Sequence, residues 1–278
     1  MLARLALGFL VVLGGCAQLG VIGDGTSISW GRANRGGIID PAWMPDDGDG
    51  HTTPQLWIHR GHRYATDELV DLLVGASRRV VASHAGPRLA VADLSPLRGG
   101  RSAQHQSHQS GRDADLLFFM TDDAGNAVDS VAMRRFNRDG VTIDDRDYGG
   151  QRMRFDVARN WALIKAMLTA PEADVQYVFI YEPLAVRLLD HARAIGEPES
   201  LLELARSAMM QPGDSAPHDD HLHVRIFCPV GDLAYGCVDR GSRPVPKKRN
   251  TGMAALPESM RTVLAAPMPA MLALVGRP

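Results

Sequence analysis

Two short stretches of the chain hold five of its ten histidines, together with several carboxylates. The first is HQSHQSGRDADLLFF at 105–119, and the second is HDDHLHVRIFC at 218–228. The histidines are His105, His108, His218, His221 and His223. Imidazole nitrogens and carboxylate oxygens are ligands of catalytic zinc, and histidine also transfers protons near neutral pH. The two stretches therefore indicate metal-assisted acid–base chemistry.

The first stretch has an H-x-x-G-x-x-x-D spacing, formed by His108, Gly111 and Asp115. Glycine permits a tight turn, so a histidine in a loop and a carboxylate on the following strand can converge on one point. With one histidine from the second stretch they would supply two nitrogens and one oxygen, and a fourth position would stay open for water. This is typical of catalytic zinc. The alternative, structural histidines beside ordinary carboxylates, explains such clustering less well.

The second stretch contains HLHVRIF at 221–227, which alternates between polar and apolar residues and predicts a strand. Alternation places His221, His223 and Arg225 on one face, and the apolar residues between them can be buried. His223 could then ligate a metal, while His221 lies roughly 6–7 Å away along the strand. From there His221 would face the open coordination position, as a general base or an oxyanion stabiliser must.

The elements that would position these residues are predicted from periodicity and caps. Helices are expected from Thr66, over 155–170 with Asp156 as the cap, from Pro183 to Gly196, and over 199–210. Strands are expected at 88–94, 113–120, 175–181 and 221–227. Strands and helices mix without a regular βαβ order, which predicts an α+β fold.

Composition and motifs exclude several classes of protein. The chain has 278 residues, 45% of them hydrophobic and 22% charged, and a formal net charge of −2, so no nucleic-acid partner is expected. Neither S-x-x-K nor G-x-S-x-G occurs, which argues against a serine nucleophile. H-E-x-x-H is absent as well, so the commonest zinc protease motif is not used.

The N-terminal sequence MLARLALGFLVVLGGCAQ predicts export. Arg4 precedes an apolar run over 5–13, which is far shorter than the roughly 20 residues of a spanning helix. Leu13-Gly14-Gly15-Cys16 resembles a bacterial lipobox, which implies a signal peptide over 1–15 and a lipid on Cys16. Ala17 resembles the outer-membrane sorting pattern, so a lipid-anchored periplasmic protein is expected. The alternative is an ordinary cleaved signal.

The cysteine count agrees with export. Three cysteines are an odd number, and if Cys16 is lipidated then Cys228 and Cys237 remain to pair across a short loop. The alternative is two free buried thiols. Residues 16–50 are rich in Gly, Asp, Ser and Pro and predict a flexible tether. The peptidase domain is then expected over 51–241, followed by a Pro-rich linker and tail over 242–278.

The two histidine motifs, in this order on an exported chain, resemble the penicillin-insensitive murein endopeptidases. VADLSPLRGG at 91–100 and RGHRYATDEL at 60–69 also resemble segments of this family. The likeness covers roughly residues 55 to 230. The wider group includes lysostaphin-type enzymes, D-Ala-D-Ala carboxypeptidases and the Hedgehog domain. The resemblance implies a single α+β domain with a central, mainly antiparallel sheet that carries a zinc site.

The resemblance also implies roles for individual residues. His108, Asp115 and His223 would hold Zn²⁺, and His221 would be the catalytic histidine that activates water or steadies the tetrahedral intermediate. His218 resembles the other active-site histidine of the family. Asp113 is expected to orient a ligand from behind, with a solvated or capping carboxylate as the alternative.

Two departures from the family pattern concern a second metal and the edge of the cleft. Some relatives use a histidine at the position of His105 and a downstream D-x-x-H for a second metal. Here Asp139 is present, but Thr142 stands in place of the histidine, so a site formed by His105 and Asp139 is doubtful. The family's RYWGHP is replaced by RYATDE, which predicts different substrate contacts at that edge.

The function implied is zinc-dependent hydrolysis of D-alanyl–meso-diaminopimelyl cross-links between peptidoglycan stem peptides, at a membrane reached through the lipid. Two alternatives remain open. One is a D,D-carboxypeptidase of the same group, which differs only in substrate. The other is a non-catalytic, zinc-containing lipoprotein that binds the cell wall, although such a protein would not need His221 beside a complete ligand set.

Overall fold

The computed structural model describes residues 25–143, 150–213 and 216–244, and these form a mixed α/β fold. The helices are α1 (Gln55–Arg60), α2 (Asp67–Ser83), α3 (Val157–Leu168), α4 (Glu182–Ala194) and α5 (Glu199–Ala208). The first strands are β1 (Ile28–Arg32), β2 (Arg35–Ile39), β3 (Ala42–Trp43), β4 (His51–Thr52), β5 (Tyr64–Ala65) and β6 (Leu89–Ala90). The later strands are β7 (Asp113–Leu117), β8 (Met120–Thr121), β9 (Ala127–Val128), β10 (Arg154–Phe155), β11 (Val175–Phe179), β12 (Met209–Met210) and β13 (His221–Ile226).

The central sheet has the strand order β12–β11–β13–β7 and carries both histidine motifs. Strand β13 pairs antiparallel with β11 on one side and with β7 on the other. Strand β12 is parallel to β11, because α4 and α5 form a crossover that returns the chain in the same direction. The prediction of a mainly antiparallel sheet is therefore confirmed in part, because two of its three strand pairs are antiparallel and the pair at the β12 edge is parallel.

Two of the predicted helix caps are confirmed, and both begin helices of the core. The hydroxyl of Thr66 accepts a hydrogen bond from the backbone N–H of Leu69 at the start of α2 (3.4 Å). The carboxylate of Asp156 accepts one from Arg159 at the start of α3 (3.0 Å). Each cap satisfies one backbone donor that the helix leaves unpaired. Helices α2 and α3 pack together, and Trp161 of α3 is buried in the core.

The N-terminal residues from 28 onward are ordered, so the predicted flexible tether is wrong over 28–50. Strands β1 and β2 form an antiparallel hairpin. The backbone N–H of Gly31 donates to Gly236 O (2.9 Å), and Val238 donates to Gly31 O (2.8 Å). At the turn, Ala33 O accepts from the N–H of Gln109, beside the first histidine motif (3.0 Å). Backbone hydrogen bonds to residues far away in the sequence therefore hold this glycine-rich segment in place.

The predicted disulfide between Cys228 and Cys237 is present, with 5.9 Å between the Cα atoms. It closes a loop that contains a short 3₁₀ helix (Gly231–Tyr235). From this loop, the carboxylate of Asp232 accepts a hydrogen bond from the N–H of Ser29 in β1 (2.8 Å). The cross-linked loop therefore supports the N-terminal hairpin.

The ends of the chain are described only in part. The predicted signal peptide and Cys16 lie outside the described residues, as do residues 245–278 of the predicted tail. Arg243, inside that predicted tail, donates to Gln176 O of β11 (2.9 Å) and to Val175 O, so the ordered structure extends past residue 241. In the described part of the chain, no helix has the length and apolarity needed to cross a membrane.

Candidate metal centre

The carboxylate of Asp115 lies at the centre of the two histidine motifs. Strand β7 pairs with β13 in a register that sets His223 opposite Asp115 and Arg225 opposite Asp113. Side chains of directly opposed residues project on the same face of a sheet. The side chain of Asp115 is 1% exposed, and its Oδ1 lies 3.8 Å from Nδ1 of His223. Strand pairing therefore brings the two motifs together.

His108 reaches the same carboxylate from the loop before β7. Its Nε2 lies 3.2 Å from Asp115 Oδ1. Its Nδ1 donates a hydrogen bond to Leu94 O (2.8 Å), which leaves the Nε2 lone pair facing Asp115. Gly111 has a φ of 72°, and a Cβ there would lie 2.5 Å from Ile38 Cδ1. The tight turn predicted from the glycine is confirmed, and no larger side chain fits in this position.

His221 approaches Asp115 from the open side of the site. Its Nε2 lies 3.4 Å from Asp115 Oδ1, and its side chain is 17% exposed against 1% for His108. Its Nδ1 donates to the carboxylate of Asp220 (2.5 Å). Asp220 therefore fixes the orientation of the ring, which is the arrangement of an oriented general base. This role of Asp220 was not predicted from the sequence, although Asp220 directly precedes His221.

Asp113 supports the centre from behind, as predicted. Its Oδ1 accepts hydrogen bonds from Nε2 of His223 (2.7 Å) and from Nε of Arg225 (2.6 Å). The Asp113 side chain is fully buried, so the alternative of a solvated carboxylate is wrong. Because Nε2 of His223 is occupied by Asp113, its Nδ1 is the nitrogen left for a ligand beside Asp115.

Burial and close charges shift the pKa values of this cluster. Burial opposes ionisation of Asp115, but His108 and His221 hold its pKa well below the usual range. Burial lowers the pKa of His223 to about 4, despite its hydrogen bond to Asp113. Burial also lowers the pKa of His221, but the Asp115 carboxylate and then Asp220 outweigh it and raise this pKa to about 10. The Asp115 carboxylate therefore favours the protonated form of His221, and a cation bound to Asp115 would oppose this effect and favour the neutral, basic form.

The residues around Asp115 fit a zinc ion. His108 Nε2 and Asp115 Oδ1 are buried, and neither atom makes a hydrogen bond with the described residues. Buried polar atoms without a partner are destabilising, and a bound cation would satisfy both of these. Imidazole nitrogen and carboxylate oxygen suit zinc, and each imidazole is held from behind, by Leu94 O or by Asp113. Which of the three imidazoles ligate stays a prediction.

The two residues of the doubtful second site, His105 and Asp139, have different partners in the structure. The carboxylate of Asp139 lies on an exposed turn, 3.7 Å from Arg187. His105 instead contacts the carboxylates of Asp93 (2.8 Å) and Asp115 (3.6 Å). The hydroxyl of Thr142 accepts a hydrogen bond from the backbone of Met153, which is a structural role. Arg187 belongs to α4, so the turn that carries Asp139 packs towards that helix.

His218 lies in the wall of the cleft above the centre. Its ring centroid is 5.2 Å from that of His221 and 5.9 Å from that of Phe179. Burial and the neighbouring His221 lower the pKa of His218 to about 4. The cleft encloses about 1050 Å³, and His105, Asp115 and His223 also contribute to its lining. The site is thus a large groove with its carboxylate at the floor.

Comparison with known proteins agrees with this geometry. The family model described as "Penicillin-insensitive murein endopeptidase" matches residues 29–257. A penicillin-insensitive murein endopeptidase of Haemophilus influenzae is 29% identical over 226 residues, which cover 80% of this chain and 70% of the relative. The match includes both histidine motifs and the ordered N-terminal hairpin. The chain therefore belongs to the penicillin-insensitive murein endopeptidase family.

Proposed function

We propose that the protein is a zinc-dependent endopeptidase that hydrolyses D-alanyl–meso-diaminopimelyl cross-links in peptidoglycan. One observation carries the proposal. The buried Oδ1 of Asp115 has no hydrogen bond to any residue that the structure describes, yet Nε2 of His108, Nε2 of His221 and Nδ1 of His223 lie 3.2, 3.4 and 3.8 Å from it. Nitrogens gathered round one carboxylate oxygen at the floor of a cleft suit a catalytic cation.

His108, Asp115 and His223 would hold the zinc ion. Bound there, zinc supplies a Lewis acid that polarises the scissile carbonyl. His108 is fixed by Leu94 O and His223 by Asp113, so neither ring must reorganise when a ligand arrives. Partners of this kind set the tautomer and strengthen the ligand.

His221 would move the proton during hydrolysis. Asp220 holds its Nδ1, so Nε2 is the atom that faces the reacting groups. A positioned imidazole contributes about 10²–10⁴-fold to such a reaction. His218 stands beside His221 in the cleft wall, 5.2 Å away between ring centroids, and would contact the substrate on that side. Asp220 is a positioning residue, because it acts only through His221.

The shape and charge of the cleft support a peptidoglycan substrate. A cleft of about 1050 Å³ accommodates an extended peptide rather than one small molecule. Five arginines contribute to its lining, and these are Arg32, Arg60, Arg112, Arg225 and Arg240. Stem peptides carry several free carboxylates, which match this positive lining. The murein substrate in the name of the Haemophilus influenzae relative agrees with this assignment.

The proposed location is the periplasm, with a lipid anchor on Cys16 in the outer membrane. The apolar run over 5–13 and the following Leu13-Gly14-Gly15-Cys16 support export and lipidation. The disulfide between Cys228 and Cys237 agrees with an oxidising compartment. Peptidoglycan lies within reach of a protein tethered there.

Muropeptide analysis tests the proposed reaction. Isolated peptidoglycan is digested with the zinc-loaded protein, and the products are separated. We expect cross-linked dimers to fall and monomers to rise, with a chelator stopping the reaction and penicillin leaving it unchanged. Loss of terminal D-Ala from monomers at constant dimer content would instead identify a carboxypeptidase. Binding to peptidoglycan without any cleavage would identify a cell-wall-binding lipoprotein.

A further inference from the structure

A second group of potential metal ligands lies beside the Asp115 centre, formed by His62, Asp93 and His105. His62 follows α1, Asp93 follows β6, and His105 belongs to the loop before β7. One ligand atom from each of them lies within 4.8 Å of the other two. Nε2 of His105 is 2.8 Å from Asp93 Oδ2, and Nδ1 of His62 is 3.8 Å from Asp93 Oδ1. Three separate segments therefore converge on one carboxylate.

Two atoms of this group are buried without a hydrogen-bond partner among the described residues. They are Oδ1 of Asp93 and Nδ1 of His62, which face each other. The Asp93 side chain is fully buried. A buried carboxylate oxygen and a buried imidazole nitrogen without a partner are both unfavourable, and one cation between them would satisfy both.

The other oxygen of Asp93 is already paired. Oδ2 accepts a hydrogen bond from Nη1 of Arg60 (2.7 Å) and contacts Nε2 of His105. A cation that takes Oδ1 can leave Arg60 in place, but the guanidinium charge will weaken its binding. Nε2 of His105 would also have to give up its hydrogen bond to Asp93 if it is the nitrogen that binds the cation.

We propose that His62, Asp93 and His105 form a second cation site, which takes a divalent transition metal such as Zn²⁺ more weakly than the Asp115 centre does. Two imidazoles and one carboxylate select zinc over magnesium and calcium, which prefer all-oxygen ligands. This set differs from the His105 and Asp139 pair considered above, because it uses His62 and Asp93.

The second site is close enough to the first to influence it. The ring of His105 stacks on that of His108 with 4.2 Å between centroids, and its Nδ1 lies 3.6 Å from Asp115 Oδ2. His105 and Arg60 also line the cleft. A metal at the second site would therefore bind at the floor of the groove and beside the first metal.

Zinc titration of the metal-free protein by calorimetry tests this site. We expect two equivalents, the second with a Kd at least about tenfold weaker than the first. His62→Ala and His62→Gln should each bind one equivalent, and thermal melting shows whether both variants fold. His59→Ala is the matched control, because His59 is an exposed histidine three residues earlier in the chain, and it should bind two.

A His223→Ala background separates this inference from the proposed function. That variant should lose the tight zinc site and keep the weaker one. The double variant with His62→Ala should lose the weaker site as well. If the wild-type protein binds only one equivalent of zinc, and His223→Ala binds none, the second site is overturned and the proposed function stands. Two equivalents that persist in both His62 variants would overturn it as well. Failure to bind any zinc would refute both proposals.

Discussion

Replacing Asp113 with asparagine tests whether the zinc ligand His223 is held from behind as inferred. The substitution preserves the shape of the side chain but removes its negative charge. In the wild-type protein, Oδ1 of this carboxylate accepts hydrogen bonds from His223 (2.7 Å) and Arg225 (2.6 Å). An amide oxygen accepts both of these bonds less strongly than a carboxylate does. The His223 ring should then be less well oriented and a poorer zinc ligand.

The expected loss of zinc affinity follows from the weaker hydrogen bond between His223 and residue 113. Removing a partner of this kind reduces metal affinity by about 10- to 100-fold. This factor corresponds to about 1.4–2.7 kcal/mol of binding free energy. The Leu94 contact of His108 is untouched, so the site should be weakened rather than abolished.

Competition with a chromophoric zinc chelator gives the Kd of the wild-type and variant proteins. Arg225→Gln is the matched control, since it removes the other donor to Asp113 and leaves the charged contact to His223. This control should not lower zinc affinity, because it takes away a nearby positive charge. A Kd for Asp113→Asn within twofold of wild type, in a protein that melts normally, would refute the inferred role of Asp113.

Three further predictions concern the rest of the chain. Replacing Cys228 and Cys237 with serine should lower the free energy of unfolding by about 2–3 kcal/mol on the chain-entropy relation, since the bridge spans nine residues, and urea unfolding that shows no change would contradict this. Burial, and then the charge of Glu68, raise the pKa of Asp232 to about 7 in the folded protein, so this carboxyl stabilises the fold at low pH and loses that effect as pH rises from about 4 to about 7. Asp232→Asn should remove a slope of at most about 1.4 kcal/mol per pH unit in that window, and an unchanged slope in urea unfolding at several pH values would refute it. Cys16→Ser should release the protein from membranes into the soluble periplasm, and unchanged fractionation would mean that something else anchors it.

The sequence predicted the parts of the fold that local pattern determines. The helix after Thr66 and the strand from His221 follow from periodicity and caps, and both are confirmed. The hairpin over 28–39 was missed, because three of its ten strand residues are glycines. It is held by partners far along the chain, such as Asp232. Long-range contacts of this kind leave no local pattern.

The candidate site was predicted to a similar extent. The convergence of His108 with Asp115 was readable from the glycine turn, and that of His223 from strand alternation. Asp93 and His62 were missed because no spacing rule connects them with the histidine motifs, and Asp220 was missed although it lies within the second motif. Asp93 lies in a segment that resembles the family, but only the fold shows that it contacts His105 (2.8 Å).

The most direct test of the central claim, that the Asp115 centre hydrolyses peptidoglycan cross-links, is the rate at which zinc-loaded protein cleaves a purified cross-linked muropeptide dimer. The wild-type protein should cleave the dimer. His221→Ala should retain its tight zinc and lose about 10²–10⁴-fold in kcat, because proton transfer is removed while the ligands remain. His223→Ala should lose both tight zinc and cleavage. No cleavage by wild-type protein, or His221→Ala that cleaves at the wild-type rate, would contradict the account.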